Sequence, residues 1–367
     1  MDPAGMSKRP GSPGDSGRTA KRPAQEREQH LYLVVDDWER GYSIYRVGED
    51  DFDSDADAAM DAPLLAASPL IRVEAQHPYS WAFAGHGTKI FAMQPSKSSP
   101  GVLVFDTETL GVTACPYPPN GAPGGPRRPV YASVGGRLVA FDGDEVYVLG
   151  PEPLPCEEKQ LWSWTTAAPP APFGSRQASS YALHPDGRTI FVSVRKGSGN
   201  GEYSRNSTFA FDTERLEWTH LGDWLLPFKG RAYYDGELDA WVGLCMYKEG
   251  AGHVCCCDVP PAAGAGSETM PVWKLGKDVF FDADSKRHLG ATLVYMGDSM
   301  FCLAECRRHR DATRDRRLRV LKMTTVVLKY DKDGELCTTH HRAYASMSYE
   351  IAHERIDLLP NPVAFWM

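Results

Sequence analysis

At 367 residues with 42% apolar side chains, the chain has ample material for a core, and its net charge of -8 argues against a surface built for nucleic acid. No apolar run approaches the roughly 18 residues that a membrane-crossing helix needs. The nine cysteines are odd in number and scattered, with no N-terminal apolar stretch, which fits a reduced compartment better than a secreted disulfide scaffold.

In chain order, residues 1–29 carry six Lys or Arg and four acids among Pro and Gly, with almost nothing apolar. This composition predicts a disordered tail. Its pairs Lys8-Arg9 and Lys21-Arg22 resemble the two clusters of a nuclear import signal, and a merely solvated tail is the alternative. Three strands are predicted next, over residues 31–35, 42–47 and 70–75. Residues 49–61 hold seven acids and no base between the second and third of these. The stretch lacks the Gly and Glu of a calcium loop, so it reads as a solvated connection.

From residue 80 onward a repeat sets the pattern. A Gly that closes a hairpin before an apolar strand recurs at Gly87, Gly136, Gly187, Gly236 and Gly297, with spacings of 49, 51, 49 and 61 residues. The strand that follows ends on Asp106, Asp212, Asp258 or Asp331 in four of these units. Residues 179–221 show the unit most clearly. Four short apolar runs are separated by His184-Pro185-Asp186-Gly187 and Asp212-Thr213-Glu214-Arg215, whose residue types favour turns. A period near 50 with four antiparallel strands per unit is the mark of a kelch-type propeller blade. The prediction is an all-β chain forming a six-bladed β-propeller, with blades over residues 31–75, 80–119, 130–166, 179–222, 230–276 and 289–344. The first blade lacks a leading strand, and residues 350–366 are expected to supply it and close the ring.

The motifs HLYLVVDDWERGYSIYRV, PGVLVFDTET and FAFDTERLEW resemble a family of kelch-like, galactose-oxidase-type propellers expanded in cereal grasses and known only as a domain of unknown function. The resemblance runs from about Leu31 to the C-terminal end. It implies a plant origin and a propeller, with no established activity. The paired glycines of an ordinary kelch blade occur only at Gly135-Gly136.

Several stretches invite a chemical reading. Residues 116–129 and 151–155, rich in Pro or Gly, read as connections. Trp162 and Trp164 alternate with period two, so both indoles are expected on one side of a strand, packed between units. Trp218, Trp241 and Trp273 are expected in the core. The consecutive Cys255, Cys256 and Cys257 alternate faces in a predicted strand, which prevents all three from ligating one ion. Asn206-Ser207-Thr208 fits a glycosylation sequon that a non-secreted chain would not use.

Residues 307–322 are expected to form a solvent-exposed insertion, because they account for the one long repeat. Their cations Arg307, Arg308, Arg310, Arg314, Arg316, Arg317, Arg319 and Lys322 form a candidate patch for an anionic partner. Catalytic motifs do not emerge. The eleven His are dispersed apart from His340-His341; Cys302, Cys306 and His309 lack a partner pair; and neither a nucleophile elbow nor a phosphate-cradling Gly loop is present.

The expectation is therefore a non-enzymatic interaction module, monomeric, in cytosol or nucleus, with no cofactor and no membrane or nucleic-acid role. Its loops would meet a protein partner of acidic character. The alternative is an oxidoreductase or hydrolase with its site at the mouth of the propeller channel.

Overall fold

The computed structural model describes residues 28–48, 52, 68–74, 82–93, 101–119, 129–153, 162–195, 205–262, 269–309, 317–339, 343–351 and 361–367. These residues are all-β, arranged as four-stranded antiparallel groups. The first sheet contains β1 (Leu31–Trp38), β2 (Gly41–Val47) and β3 (Ile71–Glu74), and β25 (Val363–Trp366) lies along β1. The second contains β4 (Ala82–His86), β5 (Lys89–Met93), β6 (Val102–Asp106) and β7 (Val112–Cys115), and the third β8 (Val130–Val134), β9 (Arg137–Asp142), β10 (Glu145–Leu149) and β11 (Trp164–Ala167). A fourth group, β12 (Ala178–Leu183), β13 (Thr189–Val194), β14 (Ser207–Asp212) and β15 (Glu217–Gly222), joins a fifth, β16 (Gly230–Asp235), β17 (Ala240–Leu244), β18 (His253–Asp258) and β19 (Trp273–Val279). Parallel pairing of β12 with β16 makes the two one sheet.

The last sheet contains β20 (His288–Gly297), β21 (Met300–Arg308), β22 (Leu318–Tyr330) and β23 (Leu336–Thr338). Here β23 covers only the C-terminal end of β22, while a further strand, β24 (Ala343–Glu350), pairs with its N-terminal half.

The recurring Asp and Gly have local causes. Asp212 accepts hydrogen bonds from the Glu214 and Arg215 N–H groups, and Asp106 does the same for Glu108 and Thr109. Asp331 caps the corresponding turn through Asp333 and Glu335. A short carboxylate is thus the least costly way to satisfy turn donors that have no strand partner. Gly87, Gly136, Gly187 and Gly297 adopt positive φ, as a tight hairpin demands. Gly236 does not. In that hairpin the left-handed position belongs to Asp239, with φ 47°, because Asp235 caps the preceding residues and shifts the reversal three positions along.

Packing follows the two-residue period. In β13 every side chain is buried, with Ile190, Val192 and Val194 in one apolar cluster and Phe191 in another. Among the described residues, each of six clusters combines side chains of two of these four-stranded groups, called sheets below for brevity. They join the first sheet to the second, the second to the third, and so on to the last, whose Val294, Leu321 and Met323 pack with Leu31 and Val47 of the first. Trp162 and Trp164 lie buried between the second and third sheets. Trp241 is fully buried, with its indole N–H donating to the Leu183 carbonyl at 2.8 Å, whereas Trp218 and Trp273 are partly covered. Cys255 and Cys257 face one cluster and Cys256 the opposite one.

Candidate binding face

Antiparallel alternation gives the sheets two unlike rims. First-to-second and third-to-fourth turns gather at one rim; second-to-third connections and links to the next sheet gather at the other. The turn rim is tied from sheet to sheet. His86 Nδ1 lies 2.8 Å from Ser133 Oγ, Arg137 donates to the Thr213 carbonyl at 3.2 Å, and Ser299 Oγ donates to buried Asp235 at 2.8 Å. The other rim carries the longer connections, two cavities and the end of a basic hairpin.

That hairpin is where residues 307–322 fall, and half of the predicted insertion is strand. Arg307 and Arg308 end β21, while Arg319 and Lys322 lie in β22, with Arg308 opposite Arg319 and Glu305 opposite Lys322. Arg310, Arg314 and Arg316 lie outside the described residues, and Arg317 is exposed at the turn. The dense charge obscured a strand pattern in which Val320, Leu321 and Met323 are buried. Arg319 is itself buried and so is no part of an exposed patch.

Partial neutralisation shapes the hairpin. Arg317 pairs with Glu350 at 2.6 Å, and Arg307 lies 3.6 Å from the buried Glu305 carboxylate, which also meets His288 at 3.0 Å. Phe281 stacks flat on His288, 4.6 Å between ring centres. Glu305, Arg307 and Lys322 then line a cavity of about 260 Å³ with Phe280, Phe281 and Asp282. Arg308 is exposed, with no carboxylate partner among the described residues. Like charges across a strand pair, as at Arg308 and Arg319, are unfavourable without a counter-charge.

The larger cavity, about 500 Å³, opens between the fourth and fifth sheets. Trp224, Leu225, Tyr247 and Met270 form its apolar walls, with Arg195 and Asp223 at its edge. Sequence reasoning missed it, although the apolar run Trp224-Leu225-Leu226 in a link between strands was a visible signal. Just before Met246, the neighbouring Cys255 lowers the Cys245 thiol, while burial pushes the thiol of Cys255, which donates to the Pro227 carbonyl at 3.6 Å, far up.

The other candidates separate. Cys302 faces the core, and burial pushes its thiol up to about 12; Cys306 is raised by burial and meets the Tyr349 hydroxyl at 3.5 Å. Among the described residues, no three His, Cys, Asp or Glu converge on a point suited to a metal ion. No helix among them is long and apolar enough to cross a membrane. Ser207 and Thr208 of the sequon are buried in β14. Lys8, Arg9, Lys21, Arg22 and the His340-His341 pair lie outside the described residues, as do the acidic residues 53–61.

The profile of a family described as "Protein of unknown function (DUF1668)" matches residues 28–346. The chain belongs to this DUF1668 family. A search of the curated proteins gives no match. Solved structures with a similar chain path include a candidate 6-phosphogluconolactonase from Bacteroides fragilis, 12% identical, covering 88% of this chain and 83% of that one with a TM-score of 0.42. A chain of a nidogen/laminin complex is 10% identical over 87% of this chain and 98% of its own, with a TM-score of 0.41. A protein from Lactobacillus plantarum is 10% identical over 94% and 86%, with a TM-score of 0.39. At such identities no activity carries across.

Proposed function

We propose that this DUF1668 chain is a six-bladed, kelch-like ring acting as a non-enzymatic, monomeric protein-interaction module of the cytosol or nucleus. The loop rim docks an acidic protein surface, and the basic hairpin of the last sheet is its anchor. Support for the ring comes from the six clusters shared between successive sheets and from β25 lying along β1.

The observation that carries the docking role is that the hairpin is backed by strand. Long β21 and β22, braced by β24, hold Arg307, Arg308 and Arg317 in place before any partner arrives. Cations fixed in this way lose less conformational freedom on binding than cations on a loose loop. Buried Glu305 and exposed Glu350 offset only part of their charge.

Immobilised poly-glutamate serves as the test surface. Wild-type protein should be retained at about 50 mM salt and released as salt rises toward about 200 mM, a range in which screening shortens through roughly 10 Å. The double variant Arg308→Ser/Arg317→Ser should elute at lower salt. Equal elution of the two proteins would remove the hairpin from the docking role.

A further inference from the structure

Arg231 is a half-buried cation at the seam between two of the four-stranded groups. It lies on β16, directly opposite Tyr181 of β12 in the parallel pairing that unites the fourth and fifth sheets. The next pair, Ala182 and Ala232, packs into the apolar cluster on one side of that sheet. Alternation therefore puts Tyr181, Arg231 and Tyr233 together on the other side of that sheet.

The environment of Arg231 is unusual for a guanidinium. The side chain is half-buried, neither packed into a core nor free in solvent. Its Nε is shut off from solvent and has no hydrogen-bond partner. No carboxylate pairs with it among the described residues. Its one close companion is the Tyr233 ring, 4.4 Å from the guanidinium carbon, and this contact leaves the in-plane N–H donors unused. Tyr181 is likewise half-buried and adds a phenol. A cation half-buried without an anion is costly, and cation–π attraction offsets only part of the cost.

We propose that Arg231, with Tyr181 and Tyr233, forms a binding site for the oxyanion of a small molecule, a phosphate or a carboxylate, on the face of the sheet opposite Ala182 and Ala232. The planar guanidinium suits two oxygens of one such group. The site is independent of the basic hairpin, so either can fail alone.

Titration calorimetry of the full chain with inorganic phosphate, and separately with acetate, at constant ionic strength tests the site and distinguishes the two chemistries. Saturable one-to-one binding of at least one anion is expected, weakened about tenfold or more in Arg231→Met and less in Arg231→Lys. A second measurement needs no variant. Phenylglyoxal modification of Arg231 in the wild type, followed by peptide mapping, should slow when the bound anion is present, while modification of exposed Arg215 should not. Equal binding by wild type and Arg231→Met, no saturable binding of either anion, or unprotected modification of Arg231 would each overturn the proposal.

Discussion

At the turn rim, carboxylates and glycines are committed to the backbone around them; at the loop rim, charged groups face one another and the solvent. Asp235 shows the first condition. It is fully buried and accepts from the Glu237 and Leu238 N–H groups and the Ser299 hydroxyl, so one side chain closes its own hairpin and ties it to the next sheet. Arg308 shows the second: it is exposed, closes no turn, and stands across from another arginine. The contrast teaches that charge in this fold is structural where the chain reverses tightly and available where connections are long. Substitutions at the two rims should therefore separate stability from binding.

The largest effect should come from removing what both rims depend on. Deleting residues 351–367 takes away β25, leaves the β1 edge unpaired and opens the clusters that Ala364 and Phe365 help to fill. An aggregating protein without a cooperative transition is expected. A soluble truncation with unchanged Tm would break the picture of sheets that depend on their neighbours.

Next comes Asp235→Ala, which strands three donors at the turn rim and should cost about 3 kcal/mol in denaturant unfolding. Acid sensitivity should follow the same rim. Burial raises the Asp106 carboxyl, but Lys89 and the Glu108 and Thr109 N–H groups outweigh it and hold it at about 2; Lys277 and the Glu335 N–H bring Asp331 to about 2 as well. Because both values are depressed, the stabilisation is complete above the ordinary 3.8 and drains as pH falls through about 2. Asp106→Asn should flatten the fall of Tm between pH 4 and 2 by about 1–3 °C, a modest effect because the group is partly exposed. A variant as acid-sensitive as the wild type would detach this carboxylate from stability.

At the loop rim, Arg308→Ser/Arg317→Ser should change stability by less than about 0.5 kcal/mol. Arg319→Ser should cost clearly more, since Arg319 is buried beside Tyr349 and Cys306. Equal Tm values for the two variants would blur the distinction. The smallest structural effect is expected from replacing Lys8, Arg9, Lys21 and Arg22 with Ala, which should leave Tm untouched. If they form an import signal, residues 1–29 fused to a reporter too large to diffuse through the nuclear pore should carry it into the nucleus, and an evenly cytosolic reporter would favour the solvated tail.

What could be read from the sequence was local. The four-stranded antiparallel units were visible because their turns are written in adjacent residues, such as Asp212 with the N–H groups two and three positions on, or Gly187 at its left-handed corner. Features set by distant partners were mostly hidden, the exception being the strand missing from the first unit, which pointed to the C-terminal segment that supplies β25. Residues 343–350 form a strand only because Leu318–Thr325 lies beside them, and the role of Arg319 depends on Tyr349 across that pairing. The cavity at Trp224 and Tyr247 and the isolation of Arg231 arise where two four-stranded groups join, which no window of sequence contains.

The pairing of β25 with β1 also orders events during synthesis. His30 and Met367 exchange backbone hydrogen bonds at 2.8 and 3.1 Å, so the strand that completes the first sheet is made more than three hundred residues after the strand it covers. At about 5–20 residues per second, the edge of β1 waits on the order of tens of seconds on the ribosome with its N–H and C=O groups unpaired. Throughout that interval the nascent chain offers an open β-edge to any strand nearby, its own or a neighbour's, and a chaperone that shields residues 31–34 would protect the growing protein at its most vulnerable place.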